Sequence, residues 1–206
     1  MKRLIIRILF LAAAAPAVVT PPIAGAGEFL VRPGGQTKVV FVSKAAMERF
    51  EGKTSRMEGR ILVDPAAVGD SVTVHLEVDL ASLDTGIAKR NAHMRDHHLE
   101  TGKYPKAMFD GATVRGPGGV MLVPGKPVVL DLEGSFTLHG VSRRIRINVE
   151  ALHTTQNGSG RIEFHTAFPV ALADYEISRP QFLFIKLAAT QDVRVSGVAV
   201  AETPGR

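Results

Sequence analysis

The chain contains no cysteine and no tryptophan, and only two of its 206 residues are tyrosine. Without cysteine it forms no disulfide, has no thiolate chemistry, and cannot carry the cysteine-linked lipid anchor of a bacterial lipoprotein. The scarcity of tryptophan and tyrosine argues against an outer-membrane barrel, which carries girdles of aromatic side chains at both interfaces. An apolar core alone must therefore hold the fold together.

The apolar run near the N-terminus is too short to span a membrane, which takes about 20 residues. It covers residues 8–15, follows the basic residues Lys2, Arg3 and Arg7, and precedes the small-residue pattern Ala24-Gly25-Ala26. This order is typical of a cleaved secretory signal peptide. The sequence predicts a signal peptide at 1–26, one periplasmic domain at 27–201 with no stable membrane span, and a flexible tail at 202–206.

No stripe of basic residues marks a nucleic-acid-binding surface. The net charge of +5 includes three basic residues in the predicted leader, so the charge of the remaining chain is only +2. The densest basic segment, 143–146, would be divided between two faces by a strand. Nucleic acid is therefore excluded as the expected partner.

Apolar and polar residues alternate with a period of two along most of the chain, which is typical of antiparallel strands with one buried face. His139-Gly140 and Asn157-Gly158 supply turns between consecutive runs. The pattern predicts an all-β domain, and eight strands fit either a closed barrel or a two-sheet sandwich. The strong runs are 71–80, 130–138, 144–151 and 162–170, and the weaker ones are 37–43, 56–63, 107–114 and 192–200.

Three segments break this alternation. Residues 45–50 are expected to form a helical turn, and the apolar stretch 180–187 is expected to plug a barrel end or line its mouth. Residues 85–99 are predicted to form a helix with Asp84 or Thr85 as N-cap. Its apolar residues Ile87, Met94 and Leu99 are expected to face the barrel.

Four short motifs between Ser82 and Ser142 carry a family resemblance. They comprise Ser82, Asp84 and Thr85; then Arg90 and His93, with Asn91 and Met94 at usually acidic and leucine positions; then Tyr104, Pro105, Ala107 and Phe109; then Gly134, Thr137, Leu138, Gly140 and Val141. In order and spacing these motifs resemble the YceI-like family. The resemblance extends loosely over residues 28–201.

The resemblance implies a single eight-stranded, antiparallel, lipocalin-like barrel with one or two short helices, exported to the bacterial periplasm. It further implies that a long polyisoprenoid or related lipid lies in the barrel interior. The family has no established catalytic set, so the resemblance implies no catalytic residue, and we predict no cofactor. The resulting hypothesis is a binding protein rather than an enzyme.

Two groups of residues are candidates for contact with such a ligand. Arg90, Arg95 and Lys103 suit a phosphate head group, although they could instead pair with neighbouring acids and hold the helix to the barrel. The apolar candidates could equally form a packed core. They are Phe41, Leu76, Met94, Phe109, Phe136, Phe164, Phe168 and Phe182.

The histidines between residues 93 and 98 support a different hypothesis. On a helix, His93 and His97 have the i, i+4 spacing that chelates metals. A third ligand could come from His98, Asp96, His75, His139 or His153, but a solvated helix face explains the same pattern. The alternative functions are therefore a metal-binding or stress-response protein without lipid, or a ligand-free barrel acting as an interaction module.

Overall fold

The computed structural model describes residues 27–44, 49–64, 68, 72–114, 121–182 and 185–202. The predicted leader at 1–26 and residues 203–206 of the predicted tail lie outside these ranges. No helix in the described part of the chain is long and apolar enough to cross a membrane.

Within the described ranges the domain has twelve strands, one α-helix and two short 3-10 helices. The helix α1 is Ala88–His97, and the 3-10 helices are Leu80–Ser82 and Leu172–Tyr175. The strands are β1 Gly27–Val31, β2 Lys38–Lys44, β3 Arg49–Thr54, β4 Met57–Val63, β5 Thr73–Asp79, β6 Lys106–Val114, β7 Pro127–Leu138, β8 Val141–Gln156, β9 Ser159–Ala171, β10 Gln181–Phe182, β11 Ile185–Lys186 and β12 Thr190–Ala201.

Eight strand positions close into an antiparallel barrel. From β4 to β9 each strand pairs with the next, and β9 pairs with β12. The barrel closes because β1 pairs with both β4 and β12. One end of β12 pairs with β1 and the other end pairs with β2. In the same way, β3 pairs with β2 and β4 pairs with β1. The pair β1 and β2 therefore occupies one strand position of the barrel, and the pair β3 and β4 occupies another. The predicted barrel is confirmed, and the sandwich alternative is wrong.

All eight predicted strands are present, and four further strands were not predicted. Two of these, β10 and β11, form a short hairpin within the apolar segment 180–187. β1 is only five residues long, and β3 begins within the segment predicted as a helical turn. Phe50 instead pairs with Ser43 of β2, and residues 45–48 lie outside the described ranges. The helical prediction is wrong at Phe50. The strand β2, which is close to it in both space and sequence, supplies ladder hydrogen bonds there.

Two apolar clusters fill the interior. The first occupies the middle of the barrel and extends to the end where β7 begins, and includes Phe29, Leu122 and Phe164. The second, here called the end cluster, closes the other end beneath α1, and consists of Leu80, Leu83, Ala107, Leu138, Val170, Leu172, Tyr175 and Ile177. We call these two ends of the barrel the Leu122 end and the helix end.

The outer face of the barrel carries cross-strand ion pairs. Arg144 and Arg146 of β8 pair with Glu133 and Asp131 of β7. The basic segment at 143–146 is therefore partly neutralised by the adjacent strand, as expected for a solvated sheet face.

Candidate ligand site in the barrel interior

A cavity of about 110 Å³ lies along the barrel axis, inside the first cluster. Alternation along each strand places its lining residues on the inner face. Five of the apolar candidates line it, namely Leu76, Phe109, Phe136, Phe164 and Phe168. Sequence patterns did not single out Met57, which is completely buried at the cavity wall, or Thr166 and Val195.

The other three apolar candidates lie elsewhere. Phe41 packs against the end cluster and makes an edge-on contact with Phe50, with ring centroids 6.1 Å apart. Met94 packs against the same cluster from α1. Phe182 belongs to the β10–β11 hairpin, and its side chain lies outside what the structure describes. The structure thus brings five of the eight candidates together at one cavity.

Glycines on neighbouring strands make room for two of the cavity phenylalanines. A Cβ atom at Gly134 would lie 2.6 Å from Cζ of Phe109, and one at Gly197 would lie 2.6 Å from Cζ of Phe164. Each ring therefore lies against the barrel wall over a glycine instead of filling the axis. A glycine on the strand next to an inward phenylalanine, directly paired with it in the case of Gly197 and Phe164, is the sequence signal that could have identified this feature.

The cavity lining is almost entirely apolar. Thr166 is the one polar side chain among the described lining residues, and its hydroxyl donates a 2.7 Å hydrogen bond to the Asn148 carbonyl oxygen. None of the described lining residues is ionisable. Such a surface can bind hydrocarbon but offers no partner for a charged group.

The segment before α1 is organised by a buried asparagine. Asn91 Oδ1 accepts hydrogen bonds from the backbone N of Thr85 (2.8 Å) and from its Oγ1 (2.6 Å), while Asn91 Nδ2 donates to Asp84 Oδ1 (2.7 Å). The pKa of Asp84 is lowered by the backbone N–H of Gly86 and by this amide. Asn91, at the usually acidic motif position, thus joins the first motif to the second.

These contacts correct the predicted start of the helix. The N-cap position is Ile87, with no side-chain cap, and its own side chain is 51% exposed rather than facing the barrel. Asp84 and Thr85 do not cap the helix because their side chains bind Asn91 instead. Met94 and Leu99 do face the barrel, as expected, and pack on the end cluster.

The basic head-group candidates surround the helix end and do not line the cavity. Arg90 donates to Oγ1 and O of Thr85, both at 2.9 Å, and its guanidinium lies 4.1 Å from the centroid of the Phe50 ring. Arg95 makes a long 3.4 Å hydrogen bond to the carbonyl oxygen of Ala81. These contacts hold α1 to the barrel.

Lys103, the third basic candidate, lies over the ring of the following residue. Its Nζ is 4.8 Å from the centroid of the Tyr104 ring, and Tyr104 raises the pKa of the lysine. The Tyr104 ring in turn stacks on His139 and covers Gly140. The third and fourth motifs therefore meet at the helix end.

The histidines of α1 form a ring-to-ring group. The centroid of His93 lies 4.9 Å from those of both His97 and His98. His98 Nδ1 is 3.1 Å from the Ser178 carbonyl oxygen. Among the described residues, however, no three His, Asp or Glu side chains converge in a way that could hold a metal ion.

Burial and the nearby His93 lower the pKa of His98. In the unfolded chain His98 has a pKa near 6.5, so it binds a proton more readily there than in the folded protein. The free energy of unfolding therefore falls as the pH drops from 6.5 toward the lower folded pKa. We expect His98→Gln, which can still bond to Ser178, to weaken this acid sensitivity. Thermal unfolding between about pH 8 and pH 5 measures it.

The exposed His165 of β9 provides the matched control. His165→Gln should leave the pH profile unchanged. Identical profiles for wild type and His98→Gln would contradict the assignment.

Comparison with known proteins supports one family. The YceI-like domain model matches residues 31–201. A UPF0312 protein of Vibrio campbellii is 30% identical over 174 residues, covering 82% of this chain and 87% of that protein. A UPF0312 protein of Shewanella baltica is 28% identical, covering 82% and 86%.

Solved structures share the fold. A polyisoprenoid binding domain from Saccharophagus degradans, implicated in plant cell wall breakdown, has a TM-score of 0.63 and 22% identity, covering 87% of this chain and 99% of that one. Burkholderia cenocepacia BcnA has a TM-score of 0.61 and 18% identity, covering 81% and 96%. The four motifs, the closed barrel and the family match over 31–201 agree, and the chain belongs to the YceI-like domain family.

Proposed function

We propose that this protein is an exported, non-enzymatic carrier that binds a long apolar molecule, a polyisoprenoid or related lipid, in its barrel. The observation that carries the proposal is the axial cavity, whose described lining has no ionisable side chain. The structural similarity to a polyisoprenoid binding domain supports it. Binding would be driven by burial of hydrocarbon, worth about 0.8 kcal/mol for each methylene group.

The cavity volume limits what can bind without a change in the protein. An apolar cavity of about 150 Å³ holds one benzene molecule, so about 110 Å³ holds roughly one five-carbon isoprene unit. The rings of Phe109 and Phe164 already lie over Gly134 and Gly197, which leaves the axis open at these two positions. A longer chain requires other side chains of the cavity lining to turn away from the axis.

Native mass spectrometry of gently purified protein tests the proposal. We expect an added mass that denaturation releases as an extractable lipid. A clean apo mass in repeated preparations, with no extractable lipid, would contradict it. That result would favour the second candidate, a ligand-free barrel acting as an interaction module, which the small cavity supports.

Ala151→Leu is expected to weaken lipid binding while leaving the protein folded. Ala151 is 4% exposed and lines the cavity, so the larger side chain occupies space that a ligand would need. Because it fills existing volume, the free energy of unfolding should change by less than about 1.5 kcal/mol. Lipid affinity should fall at least about tenfold, which corresponds to 1.4 kcal/mol, as measured by fluorescent-lipid titration.

Val129→Leu is the control, because Val129 is 66% exposed on the outer face of β7. It should alter neither stability nor affinity. Unchanged affinity in folded Ala151→Leu would place the ligand outside this cavity.

Export is supported by the basic, apolar and small-residue order of the first 26 residues. N-terminal sequencing of the protein from a periplasmic fraction should start at Gly27. A chain that retains its first residues in the cytoplasm would contradict this part of the proposal.

A further inference from the structure

The helix end of the barrel is closed to a ligand. All eight residues of the end cluster are buried, and they lie between the cavity and α1. Polar contacts tie the covering segments together: Arg143 Nε donates to the Asp174 carbonyl oxygen at 3.0 Å, and His139 bridges the Tyr175 carbonyl oxygen and Glu100. Opening this end would break these contacts together with the apolar packing beneath them.

At the Leu122 end, exposed apolar side chains are adjacent in sequence to a residue that lines the cavity. Leu122 is 4% exposed and lines the cavity, while its neighbours Met121 and Val123 are 53% and 42% exposed. Two of the four exposed large apolar side chains in the described ranges, Met121 and Val123, thus flank Leu122, where they can contact a chain that leaves the barrel.

His153 is a polar group on the inner face at this same end. It follows Ile147, Val149 and Ala151 at every second position of β8, and these three line the cavity. Its ring makes an edge-on contact with Phe29, with centroids 6.4 Å apart. The Nδ1 atom is buried and has no hydrogen-bond partner among the described residues. Such an atom is costly and calls for an explanation.

We infer that the ligand lies with its polar end at the Leu122 end of the barrel, where His153 recognises an uncharged hydroxyl or carbonyl oxygen. This rests on the proposed carrier function and adds the direction and chemical class of the ligand. One imidazole nitrogen beside an aromatic ring can form a hydrogen bond with one uncharged oxygen atom. A phosphate would need several donors or cations in the same place. The basic candidates Arg90, Arg95 and Lys103 lie at the opposite end.

Farnesol and farnesene form the test pair, because they differ at the polar end while sharing an isoprenoid chain. Their affinities are measured for wild type, His153→Leu and His153→Gln. We expect His153→Leu to weaken farnesol binding about 3- to 10-fold and to leave farnesene binding unchanged. His153→Gln, which keeps a donor and an acceptor, should retain most of the farnesol affinity.

The outcomes separate this inference from the carrier function. Farnesene binding by His153→Leu shows that the variant is folded, so an unchanged farnesol affinity would overturn the role of His153 and leave the carrier function intact. Tighter binding of farnesyl phosphate than of farnesol by wild type would overturn the uncharged class. Failure of wild type to bind any of these probes would overturn both proposals.

Orientation has its own test, which uses the absence of native tryptophan. Val123→Trp places a fluorophore at the Leu122 end and Ile87→Trp places one at the helix end, both at exposed positions. Geranylgeranyl carrying a dansyl group at its polar end serves as the energy acceptor. We expect stronger energy transfer from Val123→Trp, and stronger transfer from Ile87→Trp would overturn the inferred direction.

Discussion

Replacing Gly134 by alanine is expected to destabilise the barrel by about 2–4 kcal/mol, among the largest effects of any single methyl group in this chain. The added Cβ would contact the carbonyl oxygen of Gly111 and would lie 2.6 Å from Cζ of Phe109. The backbone oxygen belongs to β6, which is paired with β7, and cannot move without disturbing the ladder. Urea unfolding measures the change in free energy.

Gly197→Ala supplies a comparison with a different expected outcome. Its added Cβ would meet only side chains, at 2.6 Å from Cζ of Phe164 and 3.0 Å from Cε of Met57. Phe164→Leu should therefore restore part of the stability lost in Gly197→Ala. Phe109→Leu should restore little in Gly134→Ala, because the clash with Gly111 remains.

Gly102→Ala is the control, since a Cβ there meets nothing within 4 Å. It should change the free energy of unfolding by less than about 0.5 kcal/mol. Equal effects of the alanine substitutions at 102, 134 and 197 would show that the phenylalanine rings do not depend on these glycines. Their lipid affinities, measured alongside, would show whether a displaced ring blocks the cavity.

Removing the amide of Asn91 is the second large effect that we expect. Asn91→Ala would leave the backbone N–H and hydroxyl of Thr85 without their acceptor and would remove the donor to Asp84. Because Asn91 is only 9% exposed, water replaces these contacts poorly. We expect a loss of about 2–4 kcal/mol in the free energy of unfolding.

The same substitution should change the response to acid. The pKa of Asp84 is lowered in the folded protein, first by Gly86 and then by Asn91. The stability that ionised Asp84 adds to the folded protein is fully present above its unfolded pKa, near 3.8. That stability is lost as the pH falls through the lower folded pKa. Asn91→Ala should therefore show a smaller loss of stability in this acidic range.

Lys89→Ala, at an exposed position of α1, controls for general effects on the helix. It should cost little, since alanine is a good helix former. If Asn91→Ala were no more destabilising than Lys89→Ala, the buried amide would not be what holds the segment before α1.

Alternation in the sequence was sufficient to predict eight strands, because a strand with one buried face repeats every two residues. The same reasoning placed Leu76, Phe109, Phe136, Phe164 and Phe168 inside, and all five line the cavity. The short strands β1 and β3 were missed because pairing with other strands, more than their own pattern, defines them: β1 pairs with β4 and β12, and β3 pairs with β2. Ile87 was misplaced because Asn91 moves the start of the helix.

The chain by itself determined the inward and outward faces, the apolar interior and the motifs of the family, since these depend on local periodicity and residue type. Tertiary structure decided that β1 closes the barrel by pairing with β12, since pairing joins residues from the two ends of the domain. It also decided that Phe109 and Phe164 lie over glycines of adjacent strands and that His153 faces inward, with no hydrogen-bond partner for its Nδ1 atom among the described residues. Cavity volume and unmet hydrogen bonds arise from how strands meet around the axis, and no single segment contains that information.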